Sequence, residues 1–381
     1  MFRGDFALRK ELVKMGTIWT KERAWQWYDS RPWLRGCNFM GSDCANRIDQ
    51  WQELGFEERL RTADAELALA QKTGFNSIRI ILEFVVWQQQ HDGFLQRLDR
   101  YLETAWKHGI SCMVVLGNDC MPPKDEFYKP PQVGVQTYDW GYHGGRKHSQ
   151  HAHFSGMGYH LLDEPELAQL HYEWVREIIS TFRNDRRIVM WDLYNEAGNS
   201  KREAATLPHL KKFFEIAREV DPIQPLTCCT FRCPGDPRRE IPALERFALE
   251  NSDLISYHSY ADYQENVRVI KRLKRFGRPI VCTEWLGRCI HNTVQEMFPL
   301  FYLEKIGCYN WGLVAGKYQT YEPWEGLWQE YEKQPQADVD FTKWFHDLYR
   351  PNLRPYDPRE IELIKRFCGY ADYDFSLETA G

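Results

Sequence analysis

Residues 190–199 read MWDLYNEAGN. An apolar run over 188–193 ends abruptly in Tyr194, Asn195 and Glu196, with Gly198 close behind. A buried strand that ends on an amide and a carboxylate either surfaces there or carries working groups at its tip. The pattern on either side of the stretch decides what kind of strand it is.

Working outward, short apolar runs rich in β-branched residues alternate with segments of helical periodicity. Upstream, candidate strands lie at 35–43 (RGCNFMGSD), 75–84 (FNSIRIILEF) and 111–119 (SCMVVLGND). Downstream they lie at 224–231 (QPLTCCTF), 253–260 (DLISYHSY), 278–285 (RPIVCTEW) and 307–316 (GCYNWGLVAG). Helical spacing over 57–72, 165–182, 207–220, 243–249, 265–276 and 294–306 separates them, and Phe94, Leu95, Leu98, Leu102 and Trp106 mark one more helical face. A last helix is expected near 341–348. Eight strands alternating with helices imply parallel βαβ units, and the natural closure is a single (β/α)8 TIM barrel over residues 1–381, an α/β fold. An open doubly wound sheet is the runner-up. No Gly-x-Gly-x-x-Gly or Walker loop follows a strand, so nucleotide binding has no support.

Composition narrows the function. The chain is 43% hydrophobic and 27% charged with net charge −5, which fits a globular protein without a nucleic-acid footprint. Fifteen per cent is aromatic, including 15 Trp, an excess that suits the flat apolar faces of sugars. The 11 Cys are odd in number and sit mostly in apolar runs (Cys112, Cys228, Cys229, Cys282, Cys308), as expected of reduced thiols in a cytoplasmic protein. No stretch reads as an export signal or a membrane span.

In a barrel of this kind, working residues lie at the C-terminal strand ends. Two strands end in Glu, at Glu196 and Glu284, and the fourth and seventh strands face each other across the barrel mouth. Two facing carboxyls are the minimum apparatus for glycoside hydrolysis, one as proton donor and the other as nucleophile. Like charges placed together raise one pKa, which would keep the acid protonated.

These features resemble the clan A glycoside hydrolases, and within them family five, the cellulase- and mannanase-like enzymes. The resemblance rests on NE at Asn195 and Glu196, TEW at Thr283, Glu284 and Trp285, GFNSIRI with Arg79, YHSY with His258 and Tyr260, and NWG with Trp311. It implies a retaining β-glycosidase with Glu196 as acid/base and Glu284 as nucleophile, and without a cofactor or metal. It further implies that Asn195 binds the sugar 2-hydroxyl, that Arg79 and Tyr260 donate to Glu284, that His258 tunes Glu196, and that Trp311 floors the sugar site. The family often carries a His at the end of strand three. Here Asn118 or Asp119 stands there, and Ala197 replaces a common Pro after the acid/base.

Residues 120–163 form a long insertion rich in rings and histidines, among them Tyr138, Trp140, Tyr142, His143, His148, His151, His153, Phe154, Tyr159 and His160. It is expected to lean over the site as an active-site loop and make a pocket, favouring exo action on small glycosides or chain ends. Lys317, Gln319, Tyr321, Trp324 and Trp328, after strand eight, are candidates to line another part of it. The N-terminal segment 1–34, with Trp19, Trp25 and Trp27, caps the barrel bottom or adds a subsite. A non-catalytic carbohydrate-binding barrel and a metal-dependent hydrolase using the His-rich loop are the alternatives.

Overall fold

The computed structural model describes residues 16–120, 131–137, 143–145, 160–334 and 336–380. Eight strands form a nearly closed parallel barrel. They are β1 (Arg35–Asn38), β2 (Ser77–Ile81), β3 (Ser111–Asn118), β4 (Ile188–Asn195), β5 (Leu226–Thr227), β6 (Ile255–His258), β7 (Ile280–Trp285) and β8 (Gly307–Trp311). Their spatial order is β5-β4-β3-β2-β1-β8-β7-β6, so the chain winds round and β8 returns to β1. The last seam, between β5 and β6, is joined where the Thr230 amide donates to the Ser256 carbonyl (3.0 Å) and the His258 amide to the Thr230 carbonyl (2.8 Å). Every position of β2, β4, β6 and β7 is buried. Strands covered on both faces need apolar residues on both, which is why they read as runs rather than as alternation.

The two faces pack into separate clusters. Ile78, Ile80, Val114, Leu116, Trp191 and Leu193 join helix residues such as Leu67, Phe94, Trp174 and Phe213. Within the barrel, Met113, Val189, Met190, Leu254, Val281 and Tyr309 fill the lower part, together with Ala24 and Tyr28 of the helix Lys21–Asp29. That helix lies against the N-terminal end of the barrel. The Trp19 amide donates to Asp253, Trp25 Nε1 to the Gly277 carbonyl and Tyr28 Oη to the Lys305 carbonyl, all just ahead of β6, β7 and β8. Above this apolar plug the interior turns polar, and there the site begins.

The helix expected near 341–348 is absent. Phe345 and Leu348 are buried, but in an irregular segment whose amides donate to the Tyr321 and Leu313 carbonyls, and Asp347 sits at φ 21°. The apolar spacing there marks residues that cover the β8 loop, not a helical face. The last helix is Pro358–Ala380, which opens on a proline as helices tolerate. It packs by Phe367 against Tyr302 of the helix Val294–Leu303 (ring centroids 5.3 Å). Among the described residues no helix is long and apolar enough to cross a membrane.

Candidate active site

The ladder of β4 ends at Asn195, paired with Asn118 of β3. The next residue, Glu196, takes φ 47°, a left-handed conformation that turns the chain out of the sheet. Such a position is strained for a residue with a side chain and persists where the surroundings fix it. Here the Glu196 amide donates to Cys229 Sγ (3.1 Å), and Asp119 pins the following loop by accepting from the Gly198 amide (2.6 Å) and from Tyr194 Oη (2.8 Å). On the opposite side, β6 and β7 slip register at Tyr257/His258 so that His258 stands beside Glu284. An irregularity of this kind re-aims side chains.

The result is a converging group. Nδ1 of His258 is 2.8 Å from Oε1 of Glu196 and 3.4 Å from Oε2 of Glu284. One oxygen of each carboxylate and one ring nitrogen of His258 all lie within 4.8 Å of one another. The side chains are 12% and 8% exposed, so both carboxylates feel a low-dielectric surrounding. Each is held by donors. Arg79 gives a hydrogen bond to Glu284 Oε1 (2.8 Å), and Tyr260 Oη one to its Oε2 (2.9 Å). Cys120 Sγ lies 2.9 Å from Glu196 Oε2, which also accepts from Asn199 Nδ2. A cation among the three groups would have to displace these donors and the His258 contact.

Arg79 organises the floor. Its guanidinium is fully buried and donates to Asp192 (2.8 and 3.0 Å), Asn38 (2.8 Å), Asn195 (2.7 Å) and Glu284. Burial alone would weaken its charge, but Asp192 and Glu284 outweigh that and keep it cationic. Asn195 in turn donates Nδ2 to Asn118 Oδ1 (2.8 Å), which fixes the orientation of its amide.

Protonation departs from what strand-end Glu residues suggest. For Glu196, burial favours the neutral acid, but the His258 hydrogen bond and charge, with Cys120 and Asn199, outweigh it and hold the pKa at about 2. For Glu284, burial and the nearby Glu196 charge outweigh His258, Arg79 and Tyr260, and its pKa is raised. The acid/base candidate is thus held toward its ionised form, because it has the closer contact to His258. Burial and the Glu284 charge also push Tyr260 up, and burial with the Glu196 charge does the same to Cys120, so both remain donors.

A cavity of about 950 Å³ opens over these groups. Arg79, Asn195, Glu196, His258, Tyr260, Glu284 and Trp311 all line it. Trp285, Asn118, Asp119 and Lys317 lie apart from it. Trp285 is fully buried against Phe298 and Phe301, because the strand turns its side chain to the opposite face from Glu284. Asn118 and Asp119 support Asn195 and the Glu196 loop from behind. Lys317 is exposed and outside the lining. Of the loop after β8, Trp324 reaches the cavity, edge-on to Tyr260 (4.9 Å), whereas Trp328 stacks on Phe341 and Tyr321 packs on Trp344. His143 lies parallel to Trp311 at 5.4 Å, fastened by the Gly145 amide on the Pro323 carbonyl (2.8 Å). Tyr138, Trp140, Tyr142, His148, His151, His153, Phe154 and Tyr159 lie outside the described residues, as does the side chain of His160.

Sequence reasoning missed Asn38, Asp192, Cys120, Asn199 and Cys229. Asn38 closes β1 as Asn195 closes β4, so the same strand-end signal was present. The cysteines carry no such signal.

The cellulase model, glycosyl hydrolase family 5, matches residues 38–316. The chain belongs to that family. A β-glucuronidase from Paenibacillus borealis is 24% identical over 143 residues, 36% of this chain and 24% of the relative, so the match spans about a quarter of that protein's length. Among solved structures, GH5_18 from Streptomyces cattleya in complex with GlcNAc superposes with TM-score 0.56 at 11% identity, covering 91% of this chain and 81% of that one. An exo-β-1,4-mannosidase from Opitutaceae bacterium strain TAV5 gives 0.56 at 14%, covering 90% and 60%. An endo-1,4-β-D-mannanase from Thermotoga petrophila RKU-1 gives 0.55 at 13%, covering 89% and 100%. At these identities the likeness is one of fold.

Proposed function

We propose that this family 5 protein is a retaining β-glycosidase acting on small glycosides or chain ends, with Glu284 as nucleophile and Glu196 as acid/base. The observation that carries the reading is the approach of the two carboxylates to within 4.8 Å on the floor of one cavity. Retention wants carboxyls about 5–5.5 Å apart, whereas inversion leaves roughly 6.5–9.5 Å for a water.

In the first step an oxygen of Glu284 attacks the anomeric carbon. The bond to the glycosidic oxygen breaks, and that oxygen takes a proton from Glu196. Arg79 and Tyr260 aim the attacking carboxylate by occupying its two oxygens. Esterification removes the Glu284 charge, so Glu196 loses a like-charged neighbour and is freer to ionise. It then takes a proton from water, whose oxygen attacks the same carbon and releases the Glu284 carboxylate. The productive form of the free enzyme has Glu196 protonated and Glu284 ionised, and the contact of His258 with Glu196 weighs against it. On this reading Asn195 meets the sugar 2-hydroxyl and Trp311 stacks on the ring, and both line the cavity. His143 against Trp311 and Trp324 against Tyr260 narrow the cavity, which favours a pocket over an open groove. Eleven unpaired cysteines support a cytoplasmic setting.

The test is a panel of aryl glycosides on the wild type, Glu196→Ala and Glu284→Ala. Glu284→Ala loses several powers of ten in kcat. Azide restores turnover with an inverted glycosyl azide for Glu284→Ala. Unchanged turnover in either variant refutes the assignment.

A further inference from the structure

The cavity is lined by four arginines, and their partners differ. Arg79 is saturated by Asp192, Asn38, Asn195 and Glu284. Arg232 pairs with Glu203 (2.7 Å) and the Gly198 carbonyl. Arg239 is exposed at the rim. Arg47 is half-buried in the wall, and among the described residues no hydrogen bond or ion pair engages its guanidinium. The acids beside it in sequence are already taken. Asp49 accepts from Arg59, Gln52 and the Ala45 amide, and Asp43 accepts from Thr62. Of the cavity's own acids, Glu196 and Glu284 have the partners described above, Glu265 accepts from Arg268 and the Gly235 amide, and Glu240 is exposed.

Arg47 is also close to the chemistry. Its charge acts on the Cys120 thiol, and Cys120 Sγ is 2.9 Å from Glu196 Oε2. A guanidinium partly withdrawn from water without an anion loses hydration and gains nothing in return. What fits its planar fork is a carboxylate, bound through two parallel N–H bonds. A phosphate dianion asks for more than one cation, and the other arginines of the wall are engaged or at the rim.

We infer that Arg47 selects the substrate, binding the carboxylate of a uronic acid unit held in this cavity. This rests on the glycosidase reading and narrows it to β-linked uronides.

The test separates the two by measuring binding apart from turnover. Wild type, Arg47→Gln and Arg47→Lys are titrated calorimetrically with glucuronate, galacturonate and mannuronate, with the matching neutral sugars, and with glucose 6-phosphate. In the wild type at least one uronate binds about tenfold or more tightly than its neutral partner, as a charge-assisted bidentate contact allows. Arg47→Gln abolishes that preference and leaves neutral-sugar affinity within about twofold, while Arg47→Lys, which keeps charge but not the fork, retains part of it. The inference fails if no uronate is preferred, if the preference survives in Arg47→Gln, or if glucose 6-phosphate outbinds glucuronate. Should Arg47→Gln not fold, the wild-type comparison and Arg47→Lys decide. Turnover of neutral glycosides without uronate preference sinks this inference alone, and uronate binding without turnover of any glycoside sinks the glycosidase reading alone.

Discussion

Removing His258 moves the pH profile in a direction the geometry fixes. Its Nδ1 sits 2.8 Å from Glu196 and 3.4 Å from Glu284, and its hydrogen bond and charge hold Glu196 at about 2 against the opposing effect of burial. Glu196 and Glu284 titrate as a pair, and the productive singly protonated form exists between their two apparent pKa values, so the acid limb of kcat/KM follows the lower one, set by Glu196, and the alkaline limb the raised one, set by Glu284. Without His258 the largest cause that lowers Glu196 is gone, leaving Cys120 and Asn199 against burial, and its pKa rises toward the ordinary 4.5. A full return is a change of roughly 2.5, or about 3 kcal/mol of differential interaction. The acid limb of kcat/KM therefore moves up by about one to two pH units in His258→Ala. His258→Asn, which keeps a donor but no charge, moves it less. Glu284 also loses a favourable charge, so its pKa rises further and the alkaline limb moves up too. The assay is kcat/KM against pH on an aryl glycoside with a poor leaving group, where protonation matters most. An acid limb that stays in place, or moves to lower pH, refutes the argument.

Arg79→Met leaves Asp192 and Glu284 buried without their cation, and stability falls by about 3–5 kcal/mol. Chemical denaturation of Arg79→Met, Asp192→Asn and the double variant checks this, the double being less destabilised than the sum of the singles. Cys120→Ala removes one donor to Glu196, so the acid limb moves slightly upward, less than in His258→Ala. Since its thiol is held far above the usual range, Cys120 in the folded protein is predicted to resist alkylation by iodoacetamide at neutral pH. Trp311→Ala raises KM more than it lowers kcat, because ring stacking binds ground and transition states alike.

Much of the fold was legible because parallel barrel strands are buried on both faces, and residues 188–193 or 278–285 then read as uninterrupted apolar runs. Polar residues at the ends of such runs, Glu196 and Glu284 above all, stood out against them. What stayed hidden depends on contacts between distant strands. Cys120 and Cys229 look like two more core thiols, and only the closed barrel sets them on Glu196. The 2.8 Å approach of His258 to Glu196 has no trace in spacing and was implied by the family resemblance alone. Trp285, though part of the TEW motif, lies away from the site for a reason the sequence contains, since alternation along β7 turns it away once Glu284 faces inward. The spacing of Phe341, Phe345 and Leu348 suits a helix equally well as an irregular segment laid over the β8 loop, and the amides of that segment found partners there.

The central claim is that Glu284 becomes covalently bound to the sugar. Incubation with a 2-deoxy-2-fluoro glycosyl fluoride of a sugar the protein turns over, followed by proteolysis and mass spectrometry, tests it directly. The label is predicted on the peptide carrying Glu284, with retained stereochemistry in the ordinary product. A label on Glu196 instead, or no adduct together with an inverted product, would contradict it.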